Sequence, residues 1–221
     1  MTPDRPGDEG STLVELMTAM AVFSVLMALV GGATLSMFSG INGASQRGEV
    51  QQESQNAMEW ATRLVRYADV PEGQTVAITS AGPESVDLYT YSGTGAKNDV
   101  PYRARLYVAT LANGQRAVYS DVWTPQKIAG GWNWAPTARP TPATRLLLTV
   151  PAGTGSPLQL RYYACTPTTD CAATRREVTP LVPGALTLGA LEVPESITVT
   201  IGDPGKADSL VTQDVKLVNL S

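Results

Sequence analysis

The sequence predicts an α+β chain: a long N-terminal helix, transmembrane in its first half and amphipathic in its second, packed on a C-terminal head of antiparallel β-sheet. Three observations carry that expectation. An apolar run extends from residue 16 to 38. A polar but helix-favouring stretch continues to residue 70, with apolar residues recurring at i, i+3 and i+4. After Pro71 the pattern breaks into short β-rich runs divided by Gly- and Pro-rich spacers.

Composition narrows the function classes. Charged residues make up 16% of the 221 and hydrophobic ones 43%, which excludes a disordered chain. The net charge of −4 leaves no basic field for holding nucleic acid. The chain has no histidine, which removes His-dependent triads, imidazole acid–base chemistry and His metal sites. No Walker A, GxSxG or dinucleotide fingerprint is present. The expectation is therefore a non-enzyme, with no catalytic residue, no cofactor and no metal.

Residues 1–10, MTPDRPGDEG, are polar, charged and proline-bearing, and they suit a removable leader. Residues 11–38 form the transmembrane half of the helix, since a bilayer needs roughly 20 apolar residues. Gly31 and Gly32 sit within it, either for close packing against a neighbouring helix or as a hinge. Residues 39–70 form the amphipathic half, with Ala57, Met58, Ala61, Leu64, Val65 and Ala68 as one apolar stripe. Pro71 disfavours helix at Val70, so the helix is expected over 12–67. Residues 71–221 form the head. Its expected strands are 75–79, 85–91, 102–110, 116–123, 145–150, 158–164, 196–201 and 211–217, alternating most clearly at 85–89 and 196–201. No helix-length run separates them, so an antiparallel arrangement follows.

Glu15 is the one charge within the apolar segment. A carboxylate there is costly, about 2.5–3.5 kcal/mol at a helix centre and less near an end. It therefore needs a partner, or a position shallow enough to reach the headgroups.

Residues 10–16, GSTLVEL, followed by the apolar run, resemble the processing site of class III signal peptides, found in type IV pilins and the pseudopilins of type II secretion. The resemblance implies that a membrane prepilin peptidase cuts between Gly10 and Ser11 and methylates the new amine on Ser11. It implies that Glu15, one helical turn on, pairs with the amine of a neighbouring subunit and sets the axial register. Two departures stand out. Ser11 replaces the usual phenylalanine, and the leader sets Arg5 against Asp4, Asp8 and Glu9 where relatives are commonly basic. Residues 51–70 and the ending at 215–220 are similar in style to the J-class minor pseudopilins.

Cys165 and Cys171 are the only cysteines. An even count in an exported chain favours a disulfide, with two buried free thiols as the alternative. A bridge closing so short a loop is worth roughly 2 kcal/mol. Trp132 and Trp134 lie in the longest irregular segment, as packing anchors or as a binding surface. Asp203 and Asp208 flank a Pro-Gly turn with too few oxygens for calcium.

The leading functional expectation is a minor pilin or pseudopilin: a single-pass membrane protein with an extracytoplasmic head, built into a type IV pilus or type II secretion-like filament. Its expected partners are prepilin peptidase, other subunits through the N-terminal helix, and the membrane, with no nucleic acid. The alternative is a binding module, a pilus-tip adhesin or a DNA-capturing minor pilin. A third is an anchored protein whose glycine–glutamate match is accidental.

Overall fold

Helix α1 spans Leu13–Arg66, and the chain divides within it into two compact units, Met1–Arg47 and Gly48–Ser221. The computed structural model describes residues 13–91, 100–129, 131–133, 143–166, 171–178, 180 and 193–217, without the side chains of 39, 40, 42–47 and 172. The leader at 1–10, Gly10 and Ser11, Trp134 and residues 218–220 lie outside the described residues.

In the first unit, the described part of α1 keeps every described side chain exposed. In the second unit, the α1 residues from Gly48 onward form one wall of the core. All six stripe residues are buried there: Ala57, Met58, Ala61, Leu64, Val65 and Ala68. Small alanines alternating with Met, Leu and Val let the helix approach a sheet closely while still filling its surface. The helix stops at Arg66, short of the expected 67, because the sheet captures the chain before Pro71 is reached. Tyr91 donates its amide to the Tyr67 carbonyl at 3.0 Å, Asp69 donates to Tyr89 at 3.1 Å, and Ala68 bridges Thr90.

The head carries β1 (Ile78–Ala81), β2 (Ser85–Tyr91), β3 (Pro101–Thr110), β4 (Arg116–Trp123), β5 (Gln126–Ile128), β6 (Gly131–Asn133), β7 (Ala143–Val150), β8 (Leu158–Cys165), a one-turn helix α2 (Cys171–Thr174), β9 (Arg176–Val178), β10 (Val193–Ile201) and β11 (Val211–Lys216). Every strand pairing is antiparallel. Five strands form one sheet in the order β1-β2-β3-β4-β7, four form a second in the order β11-β10-β8-β9, and β5 and β6 make a separate hairpin. The α+β expectation therefore holds, with two main sheets in place of one.

Several elements differ from expectation. β1 begins at Ile78 and not at residue 75, because a turn in which Gln74 donates to Pro71 at 3.0 Å delays pairing. The β5–β6 hairpin lies inside the segment expected to be irregular. Helix α2 and β9 occupy a stretch with no expected element.

The inner faces follow the period of two expected of strands with one buried face. Val86 and Leu88 on β2, Ala104 and Leu106 on β3, and Leu158, Leu160 and Tyr162 on β8 are buried, as are Ile197, Val199 and Ile201 on β10. Two polar contacts tie the helix to both sheets. Trp60 Nε1 donates to Ser120 Oγ on β4 at 3.0 Å, and Thr62 Oγ1 bonds Gln213 Oε1 on β11 at 3.0 Å. The sheets meet at Tyr162, whose hydroxyl bonds the Gly82 carbonyl at 2.8 Å and the Ser85 carbonyl at 3.1 Å, and accepts the Gly82 amide at 3.2 Å.

Candidate functional site

The site predicted at the N-terminus is built on the span Leu13–Phe38, 26 residues in which Glu15 is the single charge. A helix apolar around its whole circumference has no solvent face and needs lipid or other apolar helices around it. Among the described residues of this unit none covers the span, and Leu13, Met17, Phe23, Leu29, Leu35 and Phe38 are all exposed.

Thr18, Ser24 and Thr34 satisfy their hydroxyls within the helix. Thr18 Oγ1 donates to the Val14 and Glu15 carbonyls at 3.0 and 2.9 Å. Ser24 donates to Met20 at 2.8 Å, and Thr34 donates to Val30 at 2.8 Å. Such back-bonding lets hydroxyl side chains enter an apolar medium without leaving a donor unmet. Gly31 and Gly32 stay helical, and a Cβ added at either would meet nothing from this chain. The open space there leaves room for a second helix to approach closely.

Glu15 stands in the first turn of α1, exposed. A carboxylate suits a helix N-terminus, where amides not yet bonded within the helix carry partial positive charge. Its expected counterpart, the amine created on Ser11 by cleavage after Gly10, falls outside the described residues, as does the cleavage point. The geometry in hand is thus one carboxylate near the start of an otherwise uncharged apolar cylinder. That arrangement suits specific association of helices.

In the head, Cys165 and Cys171 form a disulfide with Cα atoms 5.3 Å apart, which closes the loop between β8 and α2. Just beyond it, Arg175 gathers contacts that sequence reasoning missed. It pairs with Glu195 at 3.2 Å and Asp214 at 2.7 Å, donates to Ser196 Oγ at 2.9 Å, and lies 4.1 Å over the Tyr163 ring. These partners come from three strands of one sheet, a combination that sequence distance hides.

Among the described residues, the grouping of metal-ligand types is Cys165, Cys171 and Glu195, and both sulfurs are committed to the disulfide. Asp203 is buried and accepts the Gly205 amide at 2.9 Å, so it fastens a turn. Trp132 stands on β6 opposite Lys127, whose Nζ is 5.6 Å from the ring centroid.

A family model described as the prokaryotic N-terminal methylation motif matches residues 5–31 of the 221. The match covers Gly10, Ser11, Glu15 and the first part of the apolar span. Comparison with curated proteins and with solved structures gave no match.

Proposed function

We propose, from the premise that this N-terminus is of the type IV pilin and pseudopilin kind and is a prepilin peptidase substrate, that the chain is a minor structural subunit of a type IV pilus or type II secretion-like filament. The observation that carries the proposal is the methylation motif on residues 5–31, set on a helix whose described side chains from Leu13 to Phe38 are all exposed. Cleavage after Gly10 leaves a cationic amine on Ser11. Glu15 follows about one helical turn later. Each charge is costly alone in an apolar bundle, and pairing between neighbouring subunits removes both costs while fixing one axial register.

In this reading the head lies outside the cytoplasm. The Cys165–Cys171 disulfide supports that side, since structural disulfides persist in oxidising compartments. The protein works by assembly, with no catalytic step of its own.

The test is incorporation. Epitope-tagged full-length chain and its Glu15→Ala variant are expressed in the native cell, filaments are sheared off, and both fractions are blotted. The expected result is parent protein in the filament fraction, with the variant retained in the membrane at equal total level. Equal incorporation of the two overturns the role of Glu15. Absence of the parent from any filament fraction overturns the structural reading.

A further inference from the structure

The two main sheets have four outer edges, β1, β7, β9 and β11, and three of them are blunted. β1 carries a register shift between Ile78 and Ser80, and β7 joins β4 across a shift at Val118 and Tyr119. β9 has three residues. Bulges and short strands are common devices that stop a sheet edge from adding another chain. β11 has neither. It pairs with β10 over six consecutive residues with no shift, and it contains no proline. Its core-facing side chains, Val211, Gln213 and Val215, carry no charge.

The ladder fixes what the open side of β11 offers. Leu217 donates its amide to the Glu195 carbonyl at 2.9 Å. Bonded pairs recur at every second residue of an antiparallel ladder, so the backbone groups of Val215, Gln213 and Val211 also face β10. The amides and carbonyls of Thr212, Asp214 and Lys216 therefore point away from it. Among the described residues no strand takes them up.

A groove of about 480 Å³ adjoins this strand. Met58, Thr62, Arg66 and Tyr67 line it from the helix side, Val211 and Gln213 line it from β11, and among the described residues none from β10 does. The charges around it are unevenly committed. Glu59 pairs with Arg63 at 3.6 Å, and Asp214 pairs with Arg175 at 2.7 Å. Arg66 and Lys216 are exposed, and among the described residues no ion pair includes either. The uncommitted charge beside the open edge is therefore positive.

We propose that β11 takes up an extended, acidic segment of a partner protein as an added outer strand. The backbone of that segment bonds Thr212, Asp214 and Lys216, and its carboxylates meet Arg66 and Lys216. A row of N–H and C=O groups at two-residue spacing fits an extended polypeptide, and side chains then select among such segments. The edge belongs to the head, so the proposal does not rest on the filament reading.

The probe is fluorescein-labelled Thr-Val-Glu-Val-Thr-Glu-Val-amide, titrated by anisotropy against full-length protein in zwitterionic nanodiscs, with empty nanodiscs as the blank. Saturable binding is expected with Kd below about 1 mM. The same peptide with Lys for both Glu should bind at least about tenfold more weakly. Arg66→Gln should weaken binding about threefold, as the loss of one exposed pair does. Thr212→Pro removes an amide that faces away from β10, where a sheet tolerates proline. It should abolish binding and leave the unfolding midpoint at the parent's value. Bound peptide should slow hydrogen exchange at Thr212, Asp214 and Lys216 and leave Val211, Gln213 and Val215 unchanged. No saturable binding, protection confined to another part of the head, or equal binding by Thr212→Pro overturns the edge as a docking site. Equal binding of the Lys peptide overturns the acidic partner.

Discussion

The indole Nε1 of Trp60 donates to Ser120 Oγ at 3.0 Å, joining the helix to the centre of β4, with Ser120 itself fully buried. The bond fixes the rotation of the helix that presents Ala57, Met58, Ala61, Leu64 and Val65 to the core. It also binds a segment close to the membrane span in sequence into the fold of the head. Ser120→Ala leaves the indole donor without its acceptor. The expected cost is about 1–3 kcal/mol, read from urea denaturation of the full chain in mild detergent. Trp60→Phe should cost more, because it also removes part of the wall, and the double variant should fall short of the sum. Strict additivity would show that the contact is not energetically coupled.

The amphipathic half of α1 belongs to the head's core. A fragment of residues 41–221 is expected to be soluble and β-rich and to melt cooperatively. A fragment of 71–221 lacks all six buried stripe residues and exposes the inner faces of the sheets. It is expected to aggregate or to lose its cooperative transition. Thermal melts of the two followed by circular dichroism decide this, and equal midpoints would separate the helix from the core.

How much of this was legible in the sequence follows from where the determinants lie. The stripe was legible because a helix repeats every few residues and the buried positions repeat with it. β2 and β4 were legible to their ends because each is a run of strand-favouring residues bounded by Gly, Pro or Asn. The β5–β6 hairpin was not, since its strands have three residues each, among glycines and prolines that read as a spacer. Glu15 stands out in the sequence as the single charge of the apolar span, and the structure places it in the first turn of α1. The Arg175 cluster was not legible, because its partners Tyr163, Glu195, Ser196 and Asp214 sit on three strands that meet only through tertiary pairing.

The Cys165–Cys171 bridge ties β8 to α2 next to the Arg175 cluster. Exported protein analysed without reductant should give a single cross-linked peptide and no alkylatable thiol by mass spectrometry. Replacing both cysteines by serine should lower stability by roughly 2 kcal/mol, the loop-closure contribution of so short a loop. Two free thiols in folded, exported protein would contradict the pairing.

Burial pushes the Tyr162 phenol well above its ordinary value, opposed only in part by the Gly82 hydrogen bond. Tyr107 is also raised, first by burial and then by the Asp121 charge. A phenol raised in the fold holds its proton when the unfolded chain has released it. The stability that this supplies is complete below about pH 10, the unfolded value, and falls as pH rises beyond it. Tyr162→Phe should be less stable at pH 7, because the Gly82 carbonyl loses the phenol that donates to it at 2.8 Å. Its stability should also decline less steeply than the parent's above pH 10. Parallel pH profiles from denaturant titrations would contradict this account of Tyr162.

The central claim is that this N-terminus is processed as a prepilin. Full-length chain is co-expressed with a prepilin peptidase and the mature N-terminus is read by mass spectrometry. The predicted result is a chain beginning at a methylated Ser11, with cleavage much reduced in Gly10→Ala. A chain that still begins at Met1, or one cut beyond Phe38 as an ordinary signal peptide would be, contradicts the claim.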